Sequence, residues 1–431
     1  MASRLHLHLL IPLLCFVAAS TAYHADLEHP VAGSDAGFRA ELHHPYAGSS
    51  LPVHDMWRRS ARASKARVAR LEARLTGDMS VPLARISDEG YTVTIGIGTP
   101  PQLHTLIADT ASDLTWTQCN LFNDTAKQVE PLFDPAKSSS FAFVTCSSKL
   151  CTEDNPGTKR CSNKTCRYVY PYVSVEAAGV LAYESFTLSD NNQHICMSFG
   201  FGCGALTDGN LLGASGILGM SPAILSMVSQ LAIPKFSYCL TPYTDRKSSP
   251  LFFGAWADLG RYKTTGPIQK SLTFYYYVPL VGLSLGTRRL DVPAATFALK
   301  QGGTVVDLGC TVGQLAEPAF TALKEAVLHT LNLPLTNRTV KDYKVCFALP
   351  SGVAMGAVQT PPLVLYFDGG ADMVLPRDNY FQEPTAGLMC LALVPGGGMS
   401  IIGNVQQQNF HLLFDVHDSK FLFAPTICDD I

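Results

Sequence analysis

From Tyr91 the chain settles into a period of two: Tyr91, Val93, Ile95 and Ile97 alternate with small or polar residues, as a half-buried strand requires. Gly98-Thr99-Pro100-Pro101 then supplies a turn, and the apolar run Leu103 to Ala108 predicts a second strand that stops at Asp109. About 200 residues later the unit returns. Tyr276, Val278 and Leu280 open a strand, Gly286-Thr287 turns it, and Thr304 to Val306 lead into Asp307. A repeat this long is no solenoid and predicts two related lobes. Each lobe has a second landmark about 100 residues after its aspartate, Ile217-Leu218-Gly219 in the first and Ile401-Ile402-Gly403 in the second. The link between lobes is expected near Gly260 to Lys270, where Gly, Thr, Pro and Lys cluster.

The first 90 residues follow other patterns. Arg4, the apolar run Leu9 to Ala19 and the small residues Ser20-Thr21-Ala22 read as a secretory signal over residues 1–22, too short to span a bilayer. Residues 23–80 read as a basic leader. Between Trp57 and Leu75, Arg58, Arg59, Arg62, Lys65, Arg67, Arg70 and Arg74 interleave with Ala and Leu, which predicts a basic helix. Two readings are open: a solvated helix, or a propeptide that lies over an acidic cleft and leaves once acid neutralises the cleft carboxylates. Residues 81–262 and 263–431 are then the two lobes.

With 431 residues, the chain is too long for one ordinary core. Hydrophobic residues at 47% against 16% charged, with abundant Gly and Pro and no long heptads, indicate a globular, mostly β protein. Residues 1–80 hold nine Lys/Arg and seven Asp/Glu, which leaves a net charge of about −5 on the remainder and gives no reason to expect nucleic acid as a partner. No later stretch reaches roughly 18 unbroken apolar residues, so no membrane anchor is expected. Thirteen cysteines, twelve of them beyond the signal, suit an oxidising compartment. The absence of any CxxC pair or HExxH helix argues against a metal site. Sequons at Asn123, Asn163 and Asn337 agree with secretion.

A lone Asp in a turn is ordinarily a turn or cap residue. Two in matched settings, Asp109-Thr110-Ala111-Ser112 and Asp307-Leu308-Gly309-Cys310, carry a different implication. Two carboxylates about 3 Å apart cannot both ionise and share a proton. The ionised member can take a proton from a bound water while the protonated member polarises a scissile carbonyl, a pairing suited to peptide hydrolysis in acid.

Further motifs make the comparison specific. Tyr91-Thr-Val-Thr-Ile-Gly-Ile-Gly-Thr-Pro-Pro, Asp113-Leu-Thr-Trp-Thr-Gln-Cys119, Pro131 to Ser140, Cys146-Ser-Ser-Lys-Leu-Cys151, Ser226 to Leu231 and Ile401-Ile-Gly-Asn-Val-Gln-Gln-Gln-Asn-Phe410 resemble the pepsin-like aspartic peptidases, specifically their plant nepenthesin-like branch. The likeness runs from Tyr91 to Cys428. It implies an all-β, bilobal fold with a cleft between the lobes, Asp109 and Asp307 as the catalytic dyad, and Thr110, Ser112 and Gly309 as their support. It implies Tyr172 as the tip of a flap over the cleft, with Trp116 able to hydrogen-bond it; on their own, both would read as packing aromatics. It also implies a monomer that needs no cofactor and cuts polypeptides, and the pairings Cys146–Cys166, Cys151–Cys161, Cys239–Cys428 and Cys346–Cys390. Cys119, Cys196, Cys203 and Cys310 are left over, with Cys119–Cys203 a plausible pair.

The chain departs from that pattern at the site itself. Ala111 stands where the family has Gly, which any positive φ would disfavour. Leu308 replaces a Thr or Ser whose hydroxyl joins a reciprocal grip between the two turns, and Cys310 replaces a hydroxyl by a weaker donor. After Tyr172 the hinge glycines of the flap are gone, and Glu176 adds a carboxylate. Two functions are therefore carried forward: a secreted acid endopeptidase with its leader as inhibitor, extracellular in the apoplast or in a vacuole, and a binding or inhibitor protein on the same fold with catalysis impaired.

Overall fold

The computed structural model describes residues 37–44, 50–76 and 90–431, apart from short stretches at 123–124, 126–127, 153–157, 172–175, 191–192, 209–210, 212, 246, 261–262, 269–274, 337–339 and 341. The signal, the end of the leader, Tyr172, Asn123 and Asn337 thus lie outside the described residues. Asn163 lies within them, exposed in a hairpin turn with φ of 51°.

The alternating segments form the strands their period predicts. Tyr91, Val93, Ile95 and Ile97 all point inward from the strand Thr92–Ile97 and its approach. This strand pairs antiparallel with Gln102–Asp109 in a nine-stranded sheet that builds the N-terminal lobe. The Ile-Leu-Gly landmark, Gly216–Gly219, lies parallel to Gln102–Asp109 on its other side, with Gly219 beside Asp109. Next comes Trp116–Gln118, and then the long strand Gln193–Asp208. The C-terminal lobe repeats this order in smaller form. Thr304–Val306 lies parallel to Ser400–Ile402, which is antiparallel to Gly313–Ala316, itself parallel to Leu393–Gly396. Parallel neighbours require a long crossover, which accounts for the roughly 100 residues between each aspartate and its landmark. The mostly β, two-lobed architecture agrees with the sequence reading.

A six-stranded sheet joins the lobes. Phe236 on Lys235–Cys239 faces Phe414 on Phe410–Asp415, their rings stacked 4.8 Å apart, so that one apolar core runs from Ile95 and Leu218 through this sheet to Leu283 and Leu323. The region expected as a plain link contributes a strand here, Lys263–Pro267, at one edge. The leader contributes the other edge. Gly37–Leu42 pairs along its whole length with Ser249–Gly254, and Phe38 stacks on Phe253 at 4.5 Å. The leader helix, Val53–Thr76, then runs over the C-terminal lobe, where Ala61 joins Val312, Tyr343 and Leu388.

The cysteine pairing needs one correction. Cys239–Cys428 and Cys346–Cys390 form as expected, and Cys119 takes Cys203. In the N-terminal lobe, however, Cys146 bonds Cys161 and Cys151 bonds Cys166, the reverse of the expected partners. Cys161 and Cys166 stand opposite each other across a hairpin, so sequence spacing could not choose between them. Burial does. Cys166 points into the cluster of Leu150, Val144 and Tyr168, against which Cys151 of the short helix Lys149–Thr152 also packs, leaving the exposed Cys161 to Cys146. Peptide mapping of the non-reduced protein is expected to recover Cys146–Cys161 and Cys151–Cys166; the opposite pairing would contradict the packing of the helix.

Candidate active site

Each aspartate sits where a buried strand leaves its parallel neighbour. The Asp109 carbonyl accepts from Met220 N–H at 2.9 Å, and Asp307 N–H donates to the Ile402 carbonyl at 3.1 Å. The landmark glycines permit this close passage. A Cβ on Gly219 would lie 2.0 Å from the Asp113 carbonyl oxygen, and one on Gly403 2.8 Å from that of Cys310. Both carboxylates are buried, at 1% and 0% exposure.

The two turns are only half symmetrical. Ala111 N–H donates to Asp109 Oδ1 at 2.8 Å, and its counterpart Gly309 N–H donates to Asp307 Oδ1 at 3.0 Å. Ser112 Oγ donates to Asp109 Oδ2 at 2.5 Å, whereas the thiol at the matching position, Cys310, is directed to the Val312 carbonyl at 3.3 Å. Thr110 makes its half of the inter-turn grip: its hydroxyl donates to the Val306 carbonyl at 3.3 Å and accepts from Leu308 N–H at 2.9 Å. Leu308 has no hydroxyl to return and is buried in the main core. Ala111 brings no backbone strain, since its φ is not positive and its methyl group packs with Tyr275, Tyr277 and Cys310.

The cleft side of both carboxylates is occupied by Arg67 of the leader helix. Its Nε and Nη2 donate to Asp307 Oδ2 and Oδ1 at 2.6 and 2.8 Å; its Nη1 and Nη2 donate to Asp109 Oδ2 and Oδ1 at 2.9 and 2.5 Å. One guanidinium thus makes a two-pronged contact with each aspartate, the strongest geometry available to such pairs. Gly309 leaves the room for it, because a Cβ there would lie 2.6 Å from Arg67 Nη1. One turn earlier on the helix, Ser64 Oγ accepts from the N–H groups of Thr311 and Val312 at 2.9 and 2.8 Å. Burial raises the Asp109 carboxyl, but the Arg67 charge and hydrogen bonds, with Ser112 and Ala111, outweigh it and hold the group below the ordinary carboxylate range. Burial pushes Asp307 up to about 6; Arg67 opposes this rise, and the charge of Asp109 adds to it. Among the described residues no group of three or more His, Cys, Asp or Glu could hold a metal ion.

Family models described as xylanase inhibitor N-terminal and C-terminal match residues 91–255 and 275–425. The chain is 35% identical over 442 aligned residues to aspartic proteinase nepenthesin-1 of Nepenthes gracilis, with 99% of each chain covered. It is 33% identical to nepenthesin-2 of the same plant, over 95% of this chain and 94% of that one. This chain belongs to the pepsin-like plant aspartic protease family. Its fold is also that of the basic 7S globulin from soybean, with a TM-score of 0.66 at 16% identity over 91% of this chain and 97% of that one. Conglutin gamma from lupine seeds gives 0.59 at 18% identity over 78% and 91%.

The structure brings Asp109, Asp307, Thr110, Ser112 and Gly309 together. Trp116 is fully buried on its strand among Tyr168, Tyr170 and Leu114; the flap tyrosine meant to meet it lies outside the described residues. Sequence reasoning grouped Arg67 with six other basic residues and did not single it out. The signal was present. Met56, Trp57, Ser60, Ala61, Ser64 and Arg67 recur at helical spacing and are all buried, so among the described side chains Arg67 is the cation on the inward stripe. Thr110→Val keeps the shape but leaves the buried Leu308 N–H without its acceptor. It is expected to cost about 1–3 kcal/mol in urea unfolding; an unchanged midpoint would show that the one-sided grip contributes nothing.

Proposed function

We propose that this chain is a secreted aspartic endopeptidase that hydrolyses peptide bonds in acid through Asp109 and Asp307, made as a zymogen in which residues 23–80 cover the cleft. The observation that carries the reading is the convergence of both aspartates on one guanidinium. Two buried carboxylates from sites 198 positions apart meet with matched N–H donors at each inner oxygen, as a water-activating pair requires. Residues 1–22 act as the signal, 81–262 and 263–431 as the lobes, Asn163 as an exposed glycan acceptor, and the apoplast or a vacuole as the destination. The mature protein acts as a monomer without a cofactor.

The same geometry supports an inhibitory leader. Free of Arg67, the pair shares a proton; with Arg67 present, both members are drawn toward ionisation. Docking the leader therefore releases protons, and acid favours undocking. His44 adds to this. Burial lowers its pKa from 6.5 to about 3, with its ring 3.6 Å from that of Tyr243 and 5.9 Å from that of Tyr91. A buried neutral histidine favours docking fully above its free pKa, and this contribution is lost as pH falls from 6.5 toward 3.

A second reading, a binding protein with little catalysis, is favoured by Leu308, by the thiol of Cys310 and by the description of the matching family models. Acidification of the purified pro-form separates the two. Cleavage of a denatured protein is expected to appear below pH 6.5, to stop with pepstatin, and to fall by roughly a thousandfold or more in Asp109→Asn. Activity that survives either treatment rules out the dyad; no activity at any acid pH supports the binding reading. Arg67→Gln is expected to move activation about one pH unit toward neutral, and an unmoved profile would remove Arg67 from the inhibitory role.

A further inference from the structure

The turn carrying Asp307 receives a grip from Thr110 but offers none back through Leu308. It is held on its other flank by two buried bonds that also cross between the lobes. Tyr243, from the N-terminal lobe, donates its hydroxyl to Asn404 Oδ1 at 2.7 Å and lies 3.3 Å from the hydroxyl of Thr311. Asn404, fully buried, passes the hold on: its Nδ2 donates to the Leu308 carbonyl at 2.9 Å, and its N–H donates to the Cys310 carbonyl at 2.6 Å. Beside it, Tyr238 donates to Gln407 Oε1 at 2.7 Å, and Gln407 Nε2 donates to the carbonyls of Asp307 and Ile402 at 3.2 and 2.7 Å. Three carbonyl contacts, at 307, 308 and 310, thus fix the backbone that aims the carboxylate. Buried amides satisfied in this way specify one geometry, because every alternative leaves a polar atom unpaired.

We propose that Tyr243 and Asn404 are positioning residues for Asp307, supplying from the inter-lobe side the hold that Leu308 cannot return to the Thr110 turn. The proposal rests on the peptidase reading for its kinetic consequence but not for its structural one. Neither residue touches the cleft face of the carboxylates; both act through the backbone of the turn. The ring of Tyr243 also lies against Trp57 of the leader helix, stacked at 4.9 Å, so the residue that steadies the turn is one on which the leader docks.

The test is a mutant cycle on the full chain, assayed after acidification. Asn404→Ala and Tyr243→Phe are each expected to lower kcat by about tenfold to a hundredfold with KM nearly unchanged. Their double variant is expected to be little worse than Asn404→Ala alone. Leu308→Thr, which restores a hydroxyl to the other flank, is expected to return most of the lost rate in the Asn404→Ala background. Tyr243→Phe keeps the ring and serves if Asn404→Ala fails to fold. Carboxyl NMR of the leader-bound chain supplies a readout independent of activity. With the turn loosened and water admitted, Asp307 is expected to titrate more than about half a pH unit lower in Asn404→Ala and to return with Leu308→Thr. A wild-type chain that cleaves nothing sinks the peptidase reading, and the titration then decides the positioning claim. An Asp307 titration unaltered by both single variants, or a loss that Leu308→Thr does not rescue, overturns it.

Discussion

Two carboxylates buried within reach of one guanidinium set the terms for the rest of this molecule. Asp109 and Asp307 are almost fully enclosed, and so is Arg67. Charges removed from water are tolerable only when paired and hydrogen-bonded, and removing one partner leaves the others exposed to the full desolvation penalty. Every element around them serves that requirement. The parallel strands place each aspartate at the inter-lobe boundary, the N–H groups of Ala111 and Gly309 meet one oxygen of each, and the leader helix is registered by Ser64 so that Arg67 reaches both oxygens of both carboxylates.

The leader is correspondingly more than a cover. Its strand closes one edge of the sheet that joins the lobes, and Trp57 and His44 lie against Tyr243 at the base of the Asp307 turn. Its hold therefore combines a sheet edge, aromatic packing and a buried ion cluster. The last of these is the most sensitive to acid, because protonating a carboxylate removes the charge that the guanidinium needs. The sheet edge does not titrate.

The two turns have diverged under a shared plan. Asp109 has a serine hydroxyl on its outer oxygen; the position that matches it beside Asp307 is a thiol directed to Val312. Thr110 grips the other turn, and Leu308 fills core volume instead. The surroundings act unequally on the two carboxyls: burial raises Asp307 against the opposing pull of Arg67, while Arg67, Ser112 and Ala111 hold Asp109 down. Inter-lobe bonds from Tyr243, and from Tyr238 of the joining sheet, also reach the Asp307 side, through Asn404 and Gln407.

Much of this was legible in the chain alone. Period-two alternation from Tyr91, the apolar runs ending at Asp109 and Asp307, and the landmarks at 217–219 and 401–403 specified two β lobes, because strand periodicity is local and needs no partner to be read. The basic leader helix was legible for the same reason. What the sequence left open depended on neighbours distant along the chain. That Arg67 faced inward followed from how the helix lies on the C-terminal lobe. Which cysteine met Cys166 followed from the packing of a four-residue helix. Whether Ala111 was strained followed from a backbone angle that no spacing encodes. The aspartate turns themselves were given by local pattern, but their meeting on Arg67 was decided only when two parallel strand pairs, one joining sheet and the leader brought three separate segments to a single buried point.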